Sequence, residues 1–149
     1  MRAIARILIV DDDEDFLSLV REYLELVGFE PDVVLSAKQA RNNLKCSGYD
    51  VVVSDFNMPG ETGFDLFRYV SSMHPETPFV LVTGCDELQL KRESMRMGVH
   101  AFISKPFYMD ELRQTIVNLM DCNKQAGIPC LDRLEFLKPT LKIAFCGDN

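Results

Sequence analysis

Five residues in this sequence could combine into a chemistry that none of them has alone: Asp11, Asp12, Asp55, Thr83 and Lys105. Each follows a short apolar run. Ile7-Leu8-Ile9-Val10 leads into Asp11 and Asp12, and Val51-Val52-Val53-Ser54 leads into Asp55. Phe79-Val80-Leu81-Val82 leads into Thr83, and Ala101-Phe102-Ile103-Ser104 into Lys105. Three carboxylates in one cleft repel one another and need a cation, or one of them must stay protonated. Oxygen donors with no His or Cys nearby suit a hard ion such as Mg2+. Mg2+ takes one or two carboxylates, keeps waters and binds phosphate oxygens, so a lysine and a hydroxyl beside it complete a phosphoryl-binding cage. An aspartate in such a cage can itself be the nucleophile and form an aspartyl-phosphate.

Taken singly, each residue has a plainer reading. Asp13, Glu14 and Asp15 read as the cap and dipole complement of the helix they open. Asp55, ahead of Asn57-Met58-Pro59-Gly60, could be a turn residue. Thr83 could be a strand former beside Gly84, and Lys105 a solvated charge. What turn chemistry does not readily produce is the placement of all of them at four strand ends.

The elements that must position these residues alternate along the chain. Residues 5–10 read as a first, near-continuously apolar strand. Phe16, Val20, Tyr23, Leu24 and Val27 recur at spacings of three and four, which predicts a helix stopped by Gly28. Asp32–Leu35 is a short second strand. Ser36 and Gln39 form a capping-box pattern ahead of Ala37, Ala40 and Leu44. The Asp55 run, bounded by Gly48 and Pro59, reads as a central parallel strand. Thr62 and Asp65 give a second capping-box pattern, with Phe64, Phe67, Val70 and His74 as the helix stripe. Pro75 and Pro78 bracket a loop before the Thr83 strand. Asp86–Met97 predicts a helix of weak amphipathicity ending at Gly98. After the Lys105 strand, Met109, Leu112, Ile116, Leu119 and Met120 mark a final helix. This βαβαβαβαβα pattern predicts an α/β fold, a parallel sheet with helices on both faces and right-handed crossovers. In such a sheet ligands bind outside the carboxyl ends of the strands, where all five residues fall.

Bulk properties bound the rest. A chain of 149 residues with a formal net charge of -7 fits one domain and argues against direct nucleic-acid binding or an anionic membrane surface. The five cysteines are odd in number and show no C-x-x-C spacing, so a reducing compartment fits better than a disulfide framework. No segment approaches the ~20 apolar residues of a membrane span, and the first apolar run is too short for a signal peptide. A cytoplasmic location is the expectation. Residues 122–149, interrupted by Pro129 and Pro139, form an extension of unknown role. Within it Leu131, Leu134 and Leu137 could line a short helix, and Thr140–Phe145 could be a strand.

Ile7–Asp12, Asp55 with Met58-Pro59-Gly60, Thr83-Gly84 and Lys105-Pro106-Phe107 together resemble a response-regulator receiver domain of two-component signalling. The resemblance covers residues 5–121. It implies a flavodoxin-like, doubly wound five-stranded sheet of order 2-1-3-4-5. It implies that Asp55 accepts a phosphoryl group from a sensor histidine kinase or a phosphotransfer protein. Asp12 and Asp55 match direct Mg2+ ligands, Asp11 an acidic neighbour acting through water, and Asn57 a backbone-carbonyl ligand. Lys105 matches the lysine that pairs with the phosphoryl oxygens, and Thr83 the hydroxyl that moves to bond them. Phe102 matches an aromatic switch position, and Lys105-Pro106 a peptide bond usually cis in the family. Output would pass to a downstream protein target or a fused effector, with docking or homodimerisation through the fourth helix, fifth strand and fifth helix.

Three departures stand out. Phe102 has no hydroxyl to hold an inward state, Tyr108 is a poor N-cap, and Cys85 beside the site offers no charge to position a water. Two rival readings fit less well. A receiver-like binding module acting without phosphorylation fits poorly with an intact Asp12, Asp55, Thr83 and Lys105. A haloacid-dehalogenase-type phosphatase wants D-x-D followed by small residues, which Asp11–Phe16 does not supply.

Overall fold

The computed structural model describes residues 5–84 and 88–124. The expectations for residues 125–149, Cys85 and Asp86 lie outside that range. Five strands alternate with five helices: β1 (Arg6–Val10), α1 (Glu14–Leu26), β2 (Glu30–Val34), α2 (Ala37–Cys46), β3 (Val51–Asp55), α3 (Gly63–Met73), β4 (Phe79–Thr83), α4 (Leu88–Met97), β5 (Ala101–Ser104) and α5 (Met109–Lys124). The strands form one parallel sheet of order β2-β1-β3-β4-β5. Its register pairs Val10 with Ser54, Asp55 with Val82 and Thr83 with Ser104. The residues that end β1, β3, β4 and β5 are therefore brought level along one edge.

Because both faces are covered, the inner strands β1, β3 and β4 are buried almost throughout, while the edge strands β2 and β5 are buried only in part. Ile7, Ile9, Val53 and Val82 face α1 and α5, where Val20, Leu24, Leu112 and Ile116 close one core. Leu8, Val52, Phe79 and Leu81 face the other side, where Ala40 and Leu44 of α2 and Leu66 and Val70 of α3 close a second. α4 contributes one buried residue, Ser94, whose hydroxyl donates to the Leu90 carbonyl of its own helix at 2.8 Å. The expected weak amphipathicity is not what sets it apart: α4 is as amphipathic as α1–α3, but it is poor in apolar residues and thinly attached to the sheet. Among the described residues no helix is long and apolar enough to cross a membrane.

The helix starts follow their local chemistry. Asp13 caps α1, its Oδ1 accepting from the Asp15 and Phe16 N–H groups at 3.1 and 3.3 Å. Thr62 and Asp65 form both halves of the capping box of α3. At α2, Ser36 accepts from the Gln39 N–H, but Gln39 Oε1 accepts from the Leu35 N–H, one residue earlier than a capping box requires.

Three expectations shift. β2 begins at Glu30 and includes Pro31, because β2 is an edge strand that tolerates a residue without an N–H. On α1 Leu17 joins the buried face, while Val27 is the C-cap and 40 % exposed. On α3 Leu66 is the deep residue, Phe64 only half-buried and His74 the C-cap. In each helix the core accepts a wider face than a single spacing of three and four marks out.

Candidate functional site

The carboxyl edge of the sheet brings Asp11, Asp12 and Asp55 together, with one oxygen of each within 4.8 Å of the others. Asp11 and Asp55 are buried, and Asp12 is exposed at the mouth. Asp11 is fixed from two sides: its N–H donates to the Val34 carbonyl at 3.2 Å, and its Oδ1 accepts from the Asp13 N–H at 2.9 Å. Lys105 reaches in from the end of β5. Its Nζ donates to Asp11 Oδ2 at 3.0 Å and lies 3.8 Å from Asp55 Oδ1. The Lys105 backbone N–H donates to the Thr83 carbonyl at 2.8 Å, extending the β4–β5 pairing into the site. The Lys105-Pro106 peptide bond is cis.

The electrostatics of this cluster are strained in a specific way. Burial, followed by repulsion from Asp11 and more weakly from Asp12, pushes the Asp55 carboxyl up to about 7, against the pull of Lys105 and the Phe56 N–H. Burial pushes the Asp11 carboxyl up too, against the pull of Lys105. One ammonium does not balance three carboxylates held this close. The donor set is all oxygen, one edge is open through Asp12, and an added divalent cation would relieve the repulsion. These residues therefore fit a hard, hydrated ion such as Mg2+.

Thr83 is fully buried at the end of β4. Asn57 is exposed in the loop after β3, where it forms an isolated antiparallel bridge with Thr62 that closes the loop on itself. Phe102 is half-buried on β5 and packs against the core under α2 and α3.

Sequence reasoning missed several residues that shape the site. Gly63 opens α3 so close to the strand that an added Cβ would lie 2.8 Å from the Asp55 carbonyl oxygen and 2.6 Å from Leu81 Cδ1. Its N–H donates to the Phe56 carbonyl at 2.8 Å. A glycine directly after a capping Thr was the available signal. Arg41 of α2 grips Glu61 with two parallel hydrogen bonds of 2.5 and 2.6 Å, tying the Asn57–Thr62 loop to a neighbouring helix. Phe16 places its ring 4.2 Å from Lys105 Nζ. Nothing in local sequence marks the last two pairings.

The fold and this edge define a class. The response regulator receiver domain family matches residues 7–117, and the chain belongs to that family. It is similar to the C4-dicarboxylate transport transcriptional regulatory protein DctD of Rhizobium meliloti, 35 % identical over 115 residues, which are 77 % of this chain and 25 % of that protein. The chain thus spans about a quarter of the length of the curated relatives it matches. Among solved structures it resembles a CheY-like receiver domain protein from Methanospirillum hungatei JF-1, with a TM-score of 0.79 and 26 % identity, covering 84 % of this chain and 100 % of that one. It also resembles the response regulator TrrA of Thermotoga maritima, solved in complex with Mg2+ and beryllium fluoride, with a TM-score of 0.71 and 26 % identity, covering 78 % of this chain and 99 % of that one. Receiver domains of this family are signalling switches of two-component systems.

Proposed function

We propose that Asp55 is the phosphoacceptor of a phosphorylation-activated switch, fed by a sensor histidine kinase or a phosphotransfer protein. The observation that carries this reading is the placement of Asp55 between the Lys105 ammonium and two further carboxylates at the carboxyl edge of the sheet. In the transfer, an Asp55 oxygen attacks the phosphorus of a phosphohistidine. The P–O bond forms as the P–N bond breaks, and the imidazole leaves with the bonding pair and takes a proton. Lys105 neutralises charge on the equatorial phosphoryl oxygens. Asp12 and Asp55 would hold Mg2+ directly, Asp11 through water and Asn57 by its carbonyl, and the ion supplies the positive charge that keeps Asp55 ionised and offsets the phosphoryl group.

The new group adds about -1.5 to -2 charge units at the end of β3. Thr83 gains an acceptor, and Phe102 turns inward. α4 follows because so little of it is buried. This is a population shift between two packings, read by a protein target or a fused effector at the α4, β5 and α5 face. Residues 5–121 form the receiver unit, residues 122–149 an extension, and the protein acts in the cytoplasm.

The test is intact mass after incubation with Mg2+ and a small-molecule phosphodonor, with Asp55→Asn beside it. The expected result is a single phosphoryl adduct that needs Mg2+ and is absent from the variant. An adduct of equal yield in Asp55→Asn would move the acceptor elsewhere. No adduct and no beryllium fluoride complex would leave a binding module that works without phosphorylation.

A further inference from the structure

Lys105 is held on three sides, and one of them is apolar. Its ammonium meets Asp11 at 3.0 Å, approaches Asp55 at 3.8 Å, and sits 4.2 Å from the centroid of the Phe16 ring. Only 27 % of the Lys105 side chain is exposed, so the ammonium has given up part of its hydration. An aromatic face carries the negative end of a quadrupole and attracts a cation placed over it. It does so without taking a hydrogen-bond donor. All three ammonium N–H groups stay available for carboxylate or phosphoryl oxygens.

The ring is itself fixed by both segments that build the site. Phe16 lies in the first turn of α1, and its N–H donates to the Asp13 cap at 3.3 Å, directly after Asp11 and Asp12. Its ring meets Phe107 nearly edge-on, at a centroid distance of 6.1 Å and an interplanar angle of 76°. Phe107 is fully buried and stands two residues after Lys105. The aromatic pair thus spans from the strand end that delivers the carboxylates to the one that delivers the lysine.

We propose that Phe16 is a positioning residue for Lys105, its ring face holding the ammonium within reach of the Asp55 oxygens while leaving its donors free to turn toward a phosphoryl group. This rests on the functional reading above. The simple alternative is that Phe16 only fills the core under α1. Leucine separates the two, because it fills similar space and has no quadrupole.

The experiment is a double-mutant cycle of Phe16→Leu and Lys105→Ala, reading the dissociation constant for beryllium fluoride at saturating Mg2+. With Lys105 present, Phe16→Leu should weaken binding by about 3- to 30-fold. In the Lys105→Ala background it should change binding by less than about 2-fold. An equal loss in both backgrounds, or none in either, would overturn the proposal. A second measurement needs neither ion nor ligand. In protein labelled with 13C-lysine, the methylene protons of Lys105 nearest the ring should be shifted upfield and return to ordinary positions in Phe16→Leu. Ordinary positions in the unsubstituted protein would overturn the proposal whatever the binding data show. If the unsubstituted protein fails to bind beryllium fluoride but shows the upfield shift, the functional reading fails and the contact stands.

Discussion

At the amino-terminal half of the sheet, Asp32 accepts from Arg6 at 2.8 Å and from Tyr49 at 2.6 Å. Arg6 also lies over the Tyr49 ring, 4.9 Å from its centroid, and its backbone exchanges two hydrogen bonds with Asp50. Asn43 reaches the Tyr49 hydroxyl from α2. On the same edge His100 Nδ1 accepts from the Phe79 N–H at 3.1 Å. Here the charges come in pairs, and of the Arg6 guanidinium only Nε is buried without a hydrogen-bond partner. At the carboxyl edge three carboxylates crowd one ammonium, and burial drives the Asp55 carboxyl up to about 7. Both edges have the same backbone frame. The difference teaches that the polar groups of one edge hold the fold, while those of the other hold unrelieved charge ready for an ion and a phosphoryl group. Sites that keep like charges together cost stability that paired charges elsewhere must offset.

The sharpest way to break this comparison is to neutralise one carboxylate. In chelator at pH 8, Asp55→Asn should stabilise the protein by roughly 2–4 kcal/mol, the order of the Asp55 shift. The sign follows from linkage. A carboxyl raised in the folded state contributes stability below its unfolded value near 4, and loses it as pH rises through about 7. The gain over the unsubstituted protein should therefore vanish by about pH 4. Urea midpoints across that window check it, and a destabilised Asp55→Asn at pH 8 would make the carboxyl edge as structural as the other.

Asp32→Ala should act in the opposite direction. It removes the acceptor of Arg6 and Tyr49 together and leaves a half-buried guanidinium with one partner fewer. Denaturant unfolding should show a loss of roughly 1–3 kcal/mol, with phosphoryl acceptance unchanged. A selective loss of phosphoryl acceptance at full stability would erase the division between the edges.

The smallest effect concerns His100. Burial lowers its basicity, and its Nδ1 must stay unprotonated to accept from Phe79. A group depressed in this way contributes stability above its unfolded value of about 6.5 and loses it as pH falls through the lower folded value. His100→Asn keeps an acceptor that does not titrate. Relative to it, the unsubstituted protein should weaken by roughly 1 kcal/mol between pH 7 and pH 5. Parallel pH profiles for the two proteins would remove His100 from the account. The two edges thus carry opposite pH signs, one relieved by acid and the other weakened by it.

Much of this was legible in local sequence. Apolar runs of four or five residues at regular intervals can satisfy burial on both faces only as parallel strands between helices. Asp13, Thr62 and Asp65 were legible as caps because their partners lie within three residues. The start of β2 at Glu30 is not legible locally, because a proline such as Pro31 is tolerated in a strand only at an edge, and the edge position is set by the sheet. The alternation of strands and helices says that Asp11, Asp55, Thr83 and Lys105 end strands, and a parallel sheet puts strand ends on one edge. That much follows from chain order and peptide geometry alone.

The order of the strands came from the family resemblance and is seen directly only in the assembled sheet. The contacts that give the site its character are likewise tertiary. Lys105 and Asp11 are 94 residues apart along the chain, and Arg41 and Glu61 are 20 apart. No spacing rule pairs such residues, because their meeting depends on how α1, α2 and the β3–α3 loop pack over the sheet. Phe16 read as one more core residue on a helix stripe, and only the packed structure brought its ring under the lysine. Local sequence determines which backbone each segment can adopt, since caps, turns and periodicity act over a few residues. The environment of each side chain, and hence the crowding of charge at Asp55, was decided only when distant segments closed around it and excluded water.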